Sequence, residues 1–302
     1  MSSKLAANTS KIAAINKRLF YNGNTLQSRV GPPKPCPNSR RCIHKDGGLF
    51  MLQNELVSQG NWLFRWRSYL PFIILPLADT AFSNSLWVNE TFGNTFEEGW
   101  DHACYALALC GLLLRILTVA YVPAGTSGRN TTKQKAEVLN TTGMYSVVRH
   151  PLYFANFVVF IAFVLLFKSL ILTLFMALAY FLYYERIMMA EESFLHEKYG
   201  DAYRIWAAKT PAFFPRLTGY VVPSLSFSWR SVVIREHHTL LLITVAFAVV
   251  EMLEALILEQ LSFVVWVMEE PLWPVAVLFT AFIYLFVRML RKRTRLLKQA
   301  GR

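Results

Sequence analysis

An all-α, polytopic integral membrane protein of about six transmembrane helices, including a short helical hairpin, is what this 302-residue chain encodes. Three features carry that expectation: 54% hydrophobic against only 17% charged residues, apolar runs of spanning length, and a one-sided distribution of Lys and Arg. Soluble domains carry about 25% charged residues, so the composition argues against an ordinary cytosolic enzyme. The net charge of +12 would point to nucleic acid in a soluble chain. Joined to this apolar content it points to an anionic membrane surface instead, and no nucleic-acid partner is expected. Four cysteines are too few for a disulfide scaffold.

A spanning helix needs roughly 20 mostly apolar residues, because a 1.5 Å rise must cross about 30 Å of hydrocarbon. Runs 68–88, 103–122, 239–258 and 272–290 meet this. The stretch 152–184 is too long for one span and has Lys168 and Ser169 at its middle. It reads as two short spans joined by a tight turn, from which Lys168 snorkels to the interface. Eleven Lys and Arg precede Ser68, four more are Arg129, Lys133, Lys135 and Arg149, seven follow Tyr184, and seven begin at Arg288. Only Arg115 lies inside a span and only Lys168 at the short turn. Residues 89–102 and 259–271 hold no Lys or Arg and are acidic, which puts both termini on the cytoplasmic side. Trp62, Trp66, Trp87, Trp100, Trp266 and Trp273 flank span ends, where an aromatic belt forms.

The chain divides into a basic, partly disordered cytoplasmic arm (1–67), two spans (68–122), a core of loop, hairpin and following segment (123–217), and a cytoplasmic linker with two spans and a basic tail (218–302). Residues 1–20 lack a continuous apolar core, so no cleaved signal peptide is expected. Leu5, Ile12, Ile15 and Leu19 form one stripe of a basic helix on anionic lipid, or the arm stays disordered. Cys36, Cys42 and His44 lack a fourth ligand and the usual close pairing, so no metal site is expected. His237-His238 is the only adjacent pair among six histidines, which argues against the His-cluster oxidases of membranes. Asp79, Arg115, Glu251 and Glu254 are intramembrane ionisable residues. Glu251 and Glu254 share a helix face, either lining a cavity or pairing with Arg115.

The chemistry concentrates between Gly125 and Arg216. Gly125-Thr-Ser-Gly128-Arg129-Asn130 and Leu139-Asn-Thr-Thr-Gly143-Met-Tyr145 lead to Arg149-His150-Pro151-Leu152-Tyr153. Pro151 suits the first helical position, leaving Arg149 and His150 at the mouth of a span, with Tyr153 and Asn156 on one face inside it. Past the hairpin come Glu185, Arg186, Glu191, Glu192 and His196. Glu185, Glu192 and His196 share a stripe, with Glu191 turned about 100° away. A hairpin returns the chain to its starting side, so these carboxylates converge on the Arg149 to Tyr153 mouth.

R-H-P-x-Y, a hairpin, E-E-x-x-L, then Tyr199-Gly200-x-x-Tyr203-x-x-Trp206 and Pro211-x-x-x-Pro215 form an order that resembles the isoprenylcysteine carboxyl methyltransferase and phospholipid methyltransferase superfamily. The resemblance covers about a third of the chain, roughly 111–217. It implies S-adenosylmethionine-dependent methyl transfer to a membrane lipid or lipidated substrate, with 123–217 as the methyltransferase core. By position it implies cofactor contacts from Gln134, Leu139, Asn140, Tyr145, His150, Pro151, Tyr153 and Glu191, and catalytic or substrate roles for Arg149, Arg186 and Glu192. Gln134 lies in a loop that aligns poorly, and Arg186 is one residue out of register with the family's substrate arginine. Segments such as Thr210-Pro-Ala-Phe-Phe-Pro215 look more like bacterial members, some of which methylate a phosphate of lipid A, which implies a bacterial inner membrane. Lipid phosphate O-methylation, carboxyl methylation of a prenylated thiol and amine N-methylation all remain open. So do an NADPH-dependent sterol-type reductase with a similar C-terminal arrangement, and a non-catalytic scaffold that keeps the motif as structure.

Overall fold

The computed structural model describes residues 39–66, 87–88, 90–123 and 136–294. The chain divides into two compact units, Met1–Leu52 and Gln53–Arg302, and the apolar helices of spanning length belong to the second. Among the described residues the protein is all helical, with no strand. The principal helices are α1 (Ser39–Trp66), α2 (Asn94–Val119), α3 (Met144–Val147), α4 (Pro151–Leu165), α5 (Leu170–Tyr199), α6 (Asp201–Ala207), α7 (Trp229–Ile257), α8 (Phe263–Glu269) and α9 (Leu272–Arg293). Four of them, α2, α5, α7 and α9, are long and apolar enough to cross a membrane, and α4 is a shorter apolar helix. The polytopic membrane architecture is therefore as expected. The expected span 68–88, with Asp79, lies almost wholly outside the described residues, as do Gln134, Arg129 and the stripe from Leu5 to Leu19.

The hairpin forms where Lys168 and Ser169 interrupt the apolar run. Pro151 opens α4 at a position where its missing N–H is no loss. The helix closes at Leu165, and Lys168 turns the chain with φ +49°. Ser169 then caps α5, its Oγ accepting from Leu172 N at 3.3 Å. Gly111 lets α2 approach α4 closely: a Cβ there would stand 2.7 Å from Val159 Cγ2 and 3.0 Å from the Ala155 carbonyl oxygen. Between α2, α4, α7 and α9 lies a core built on Cys104, Ala108, Leu112, Leu166, Phe247 and Trp273. A second, aromatic cluster joins Phe64 of α1 to Tyr180, Tyr184 and Ile187 of α5 and to Phe213.

Three expectations need correction. Lys168 does not snorkel to water: its side chain is 3% exposed, with Nζ at 2.9 Å from Glu97, 3.2 Å from Asp101 and 3.4 Å from Glu254. The start of α2, the hairpin turn and the end of α7 meet at one end of the bundle, so carboxylates solvate the ammonium in place of water. Arg115 pairs not with Glu251 or Glu254 but with Glu236, Nε to Oε2 at 2.7 Å and Nη2 to Oε1 at 3.0 Å, while Nη1 donates to Asn156 Oδ1. That partner is reached because α7 begins at Trp229, ten residues before the apolar run, capped by Ser228. Trp266 and Trp273 are core residues rather than belt residues. Trp273 is 1% exposed and packs against Tyr105 and Phe247. Within the N-terminal arm, residues 39–66 are helical, a stretch that contains no proline.

Removing one partner of a buried ion cluster leaves charge uncompensated, which costs about 3–5 kcal/mol. Lys168→Met is therefore expected to lower the thermal midpoint of the detergent-purified protein by that equivalent. A loss near 1 kcal/mol (about the value of a solvated surface pair) would show that water, not the lysine, balances Glu97, Asp101 and Glu254.

Candidate active site at the mouth of the hairpin

The mouth of α4 is assembled from three stretches of chain. Backbone amides of the R-H-P-x-Y segment are held by the stretch after α6: Arg149 N donates to Pro211 O at 2.8 Å and His150 N to Ala212 O at 3.2 Å. Farther along, Arg216 N donates to Val147 O (2.9 Å) and Gly143 N to Val221 O (2.8 Å). Residues 211–221 thus strap the approach to α4 from the outside. The aromatic spacing after Glu192 has matching structural roles. Tyr199 Oη donates to Ala136 O at 2.7 Å, tying down the loop of Leu139 and Asn140. Trp206 Nε1 donates to Tyr145 O at 3.1 Å, fixing α3.

Onto this frame α5 brings its carboxylates, at the point where the hairpin returns. Arg149 Nη1 donates to Glu192 Oε2 at 2.7 Å, and His150 Nε2 lies 3.0 Å from Glu192 Oε1. His150 Nδ1 faces Glu191 Oε2 at 3.6 Å, an ionic contact longer than a hydrogen bond. The His150 ring stacks on Tyr153, centroids 5.6 Å apart, and Tyr153 in turn meets Tyr184 at 5.0 Å. Burial of His150 (5% exposed) favours the neutral ring, but Glu191 and Glu192 outweigh it and raise its pKa from 6.5 to about 9. At neutral pH the residue is a cation and a donor.

The structure brings Arg149, His150, Pro151, Tyr153, Glu191 and Glu192 together. Tyr145 lies on the adjoining α3, anchored through its carbonyl, and Leu139 and Asn140 are half-buried on the preceding loop. Arg186 stands apart from the Arg149–Glu192 pair. Its Nε donates to Gln59 Oε1 at 3.1 Å and its Nη1 to Leu182 O at 2.7 Å. Tyr203, quoted in the motif but assigned no role, belongs with the site. Its Oη and Arg149 Nε are buried without a well-aligned hydrogen bond among the described residues, although Glu192 and Arg149 both lie within hydrogen-bonding reach of the Tyr203 phenol. Only its spacing, four residues after Tyr199 and three before Trp206, signalled it in the sequence. The Pro211–Ala212 strap had no such signal, because backbone carbonyls carry no residue signature.

Two orphaned buried donors beside a carboxylate that is 35% exposed, that of Glu191, suit a ligand with an amino-acid end. The donors match its carboxylate and Glu191 its ammonium. The residues present therefore fit S-adenosylmethionine.

Comparison with known proteins bears on the same segment. Residues 100–202 match the phospholipid methyltransferase family. The chain is 34% identical over 124 residues to the nickel-cobalt-cadmium resistance protein NccN of Alcaligenes xylosoxydans xylosoxydans, covering 41% of this chain and 58% of that protein. It is 31% identical over 156 residues to the cobalt-zinc-cadmium resistance protein CzcN of Cupriavidus metallidurans, covering 51% of this chain and 64% of that protein. The chain thus spans about three fifths of the length of these two relatives. No solved structure matches.

A proton held more tightly in the folded protein stabilises it below the ordinary pKa of 6.5, and that contribution is lost as pH rises through about 9. His150 ring resonances in selectively labelled protein are accordingly expected to titrate near pH 9, with Glu192→Gln moving the midpoint down. A wild-type midpoint at or below 6.5 would contradict the pairing.

Proposed function

We propose, from the match of residues 100–202 to the phospholipid methyltransferase family, that the protein is an S-adenosylmethionine-dependent methyltransferase of membrane lipid, acting on an anionic oxygen. The observation that carries this reading is the convergence of Arg149, His150 and Tyr153 with Glu191 and Glu192 across the hairpin. When bound, S-adenosylmethionine supplies a methyl group on a cationic sulfonium, so an anionic oxygen acceptor cancels charge as the bond forms and needs no base.

Glu191 would receive the cofactor's ammonium group, and Arg149 Nε with Tyr203 Oη its carboxylate. Leu139, Asn140, Tyr145, Pro151 and Tyr153 would supply the further cofactor contacts that the resemblance assigns to them. Glu192 holds Arg149 and His150 in place, and the packed Tyr153, Tyr184 and Tyr180 rings keep that side dry. In such a water-poor site fixed charges act at full strength. His150, protonated at neutral pH, is not the base that an amine acceptor would need, which leaves that role to a glutamate, whereas an anionic oxygen needs none. This favours a lipid phosphate or carboxylate as acceptor over an amine. A hydride-transfer reading has no comparable support from the geometry.

The one-sided distribution of Lys and Arg supports a cytoplasmic side for both termini and this mouth, and the resemblance to bacterial members supports a bacterial inner membrane. The names of the two relatives concern metal resistance. Among the described residues no group of three or more His, Cys, Asp or Glu side chains is placed to hold a metal ion, so the reading follows the family segment.

The test is calorimetric binding of S-adenosylhomocysteine to the full-length protein in detergent. Micromolar binding is expected, weakened about tenfold or more by Glu191→Ala, the scale of one lost charge-assisted hydrogen bond. Absence of binding by folded wild-type protein would overturn the proposal.

A further inference from the structure

The stretch between α6 and α7 lies beyond the family segment, and its two faces differ. The inner face serves the mouth of α4. Besides the backbone bonds of the strap, Val221 N donates to Ser146 Oγ at 2.9 Å, and a Cβ on Gly143 would stand 3.1 Å from the Pro223 ring. The outer face is apolar and uncovered. Phe214, Leu217, Tyr220, Val221, Val222 and Trp229 are each at least half exposed, Leu217 by 86% and Val222 by 76%. Scattered exposed apolar side chains are ordinary, but a set this dense along the chain marks a surface with a partner.

We propose that residues 214–230 are seated in the lipid interface on the mouth side of the membrane, that the partner of their outer face is an anionic lipid surface, and that this seating steadies the mouth of α4. The lipid acts here as a surface and not as a methyl acceptor, so the inference stands apart from the methyltransferase reading.

Three observations carry it. The first is depth. Ser228 N donates to Ala120 O at 3.1 Å, and the rings of Tyr121 and Phe227 meet edge-on with centroids 5.5 Å apart. Val119, Ala120 and Val232 are buried with Leu152 and Phe227 packed against them. Residues 119–121 close the apolar run of α2, and Leu152 is the second residue of α4, so this stretch runs level with the ends of both helices. There hydrocarbon gives way to head groups. Glu236 and His237, which separate Trp229 from the apolar run 239–258, turn inward. Glu236 binds Arg115 of α2, and the His237 ring stacks on Tyr284 of α9 at 5.4 Å. The polar first turns of α7 therefore do not carry Trp229 away into water.

The second is the chemistry of the outer face. Tyr220 and Trp229 join an apolar ring to a polar edge, the combination that settles at membrane interfaces. No helix forms between α6 and α7, so backbone groups there need a polar setting. The head-group layer supplies one and the hydrocarbon core does not.

The third is charge. From Ala202 to Arg235 the sequence holds Arg204, Lys209, Arg216, Arg230 and Arg235 and no Asp or Glu. Lys209, Arg216 and Arg230 are exposed. Basic side chains beside aromatic ones, with no carboxylate among them, complement anionic head groups. Coupling to the mouth runs through the backbone. Arg216 N and Val221 O, which hold Val147 and Gly143, belong to the same stretch as the outer face, so ordering that stretch orders the approach to Arg149 and His150.

The test is spin-label accessibility in the full-length protein, reconstituted in nanodiscs of phosphatidylglycerol or of phosphatidylcholine. A label on Leu217→Cys is read against lipid-dissolved oxygen and a water-soluble nickel chelate, with Cys36, Cys42 and Cys110 replaced by alanine and the buried Cys104 retained. Oxygen collisions are expected to exceed nickel collisions, and by more in phosphatidylglycerol. Hydrogen exchange over residues 146–150 is expected to be about fivefold slower in phosphatidylglycerol, the scale of one basic residue at an anionic surface. Joint replacement Arg216→Gln and Arg230→Gln should remove both lipid differences while the helical circular dichroism stays that of the parent. Dominant nickel collisions would put the stretch in water and overturn the proposal. Few collisions with either reagent would mean that protein, a second copy or another chain, covers the face, and would overturn the lipid assignment. Equal label depth in the two lipids would overturn the anionic partner, and exchange indifferent to lipid would overturn the coupling to the mouth.

Discussion

The pairing of Glu192 with Arg149 and His150 is the contact that sets the geometry of the hairpin and of the site at its mouth. An apolar hairpin has no intrinsic reason to place its two ends in register. Here a carboxylate near the end of α5 bridges a guanidinium and an imidazolium at the start of α4, at 2.7 and 3.0 Å. That register decides where Tyr153 meets Tyr184 and where Glu191 comes to face His150. It also explains why His150 is a buried cation rather than a buried neutral ring: two carboxylates outweigh the cost of its desolvation.

The same logic governs the other charges inside the bundle. Ionisable groups in a low-dielectric setting persist where they are paired. Lys168 is enclosed by Glu97, Asp101 and Glu254 at one end, and Arg115 by Glu236 and Asn156 farther along. Each cluster joins helices from different parts of the chain. Glu236 ties α7, which comes after the family segment, to α2 and α4 within it. Gly60 and Tyr183 do the same for α1, which precedes it. The family segment is therefore flanked by added helices on two sides, and α1 packs on α5 at Arg186 and Ala190, just before Glu191.

The motif after the hairpin gains its meaning from these contacts. Tyr199 and Trp206 act on the backbone of the preceding loop and of α3, and the Pro211–Ala212 carbonyls hold the Arg149 and His150 amides. Residues that look in sequence like a set of site positions are thus divided between those that face the ligand space and those that hold the frame around it.

Periodicity, length and charge are local properties of the chain, and they were enough to establish its broad plan. Apolar runs gave the spanning helices, Lys168 and Ser169 located the hairpin turn, and Pro151 placed Arg149 and His150 at a span mouth. Helical geometry brought Glu191 and Glu192 back to them, because a hairpin must return to its own side. Which charge meets which was settled by packing. Arg115 chose Glu236 over Glu251 and Glu254, and Lys168 turned inward, because partner choice depends on how helices distant in sequence lie against one another. Packing also set Trp273 in the core, recruited Tyr203 and brought Gly60 against Arg186. Those outcomes rest on close approach between elements far apart in the chain, and no local pattern of residues encodes a distance.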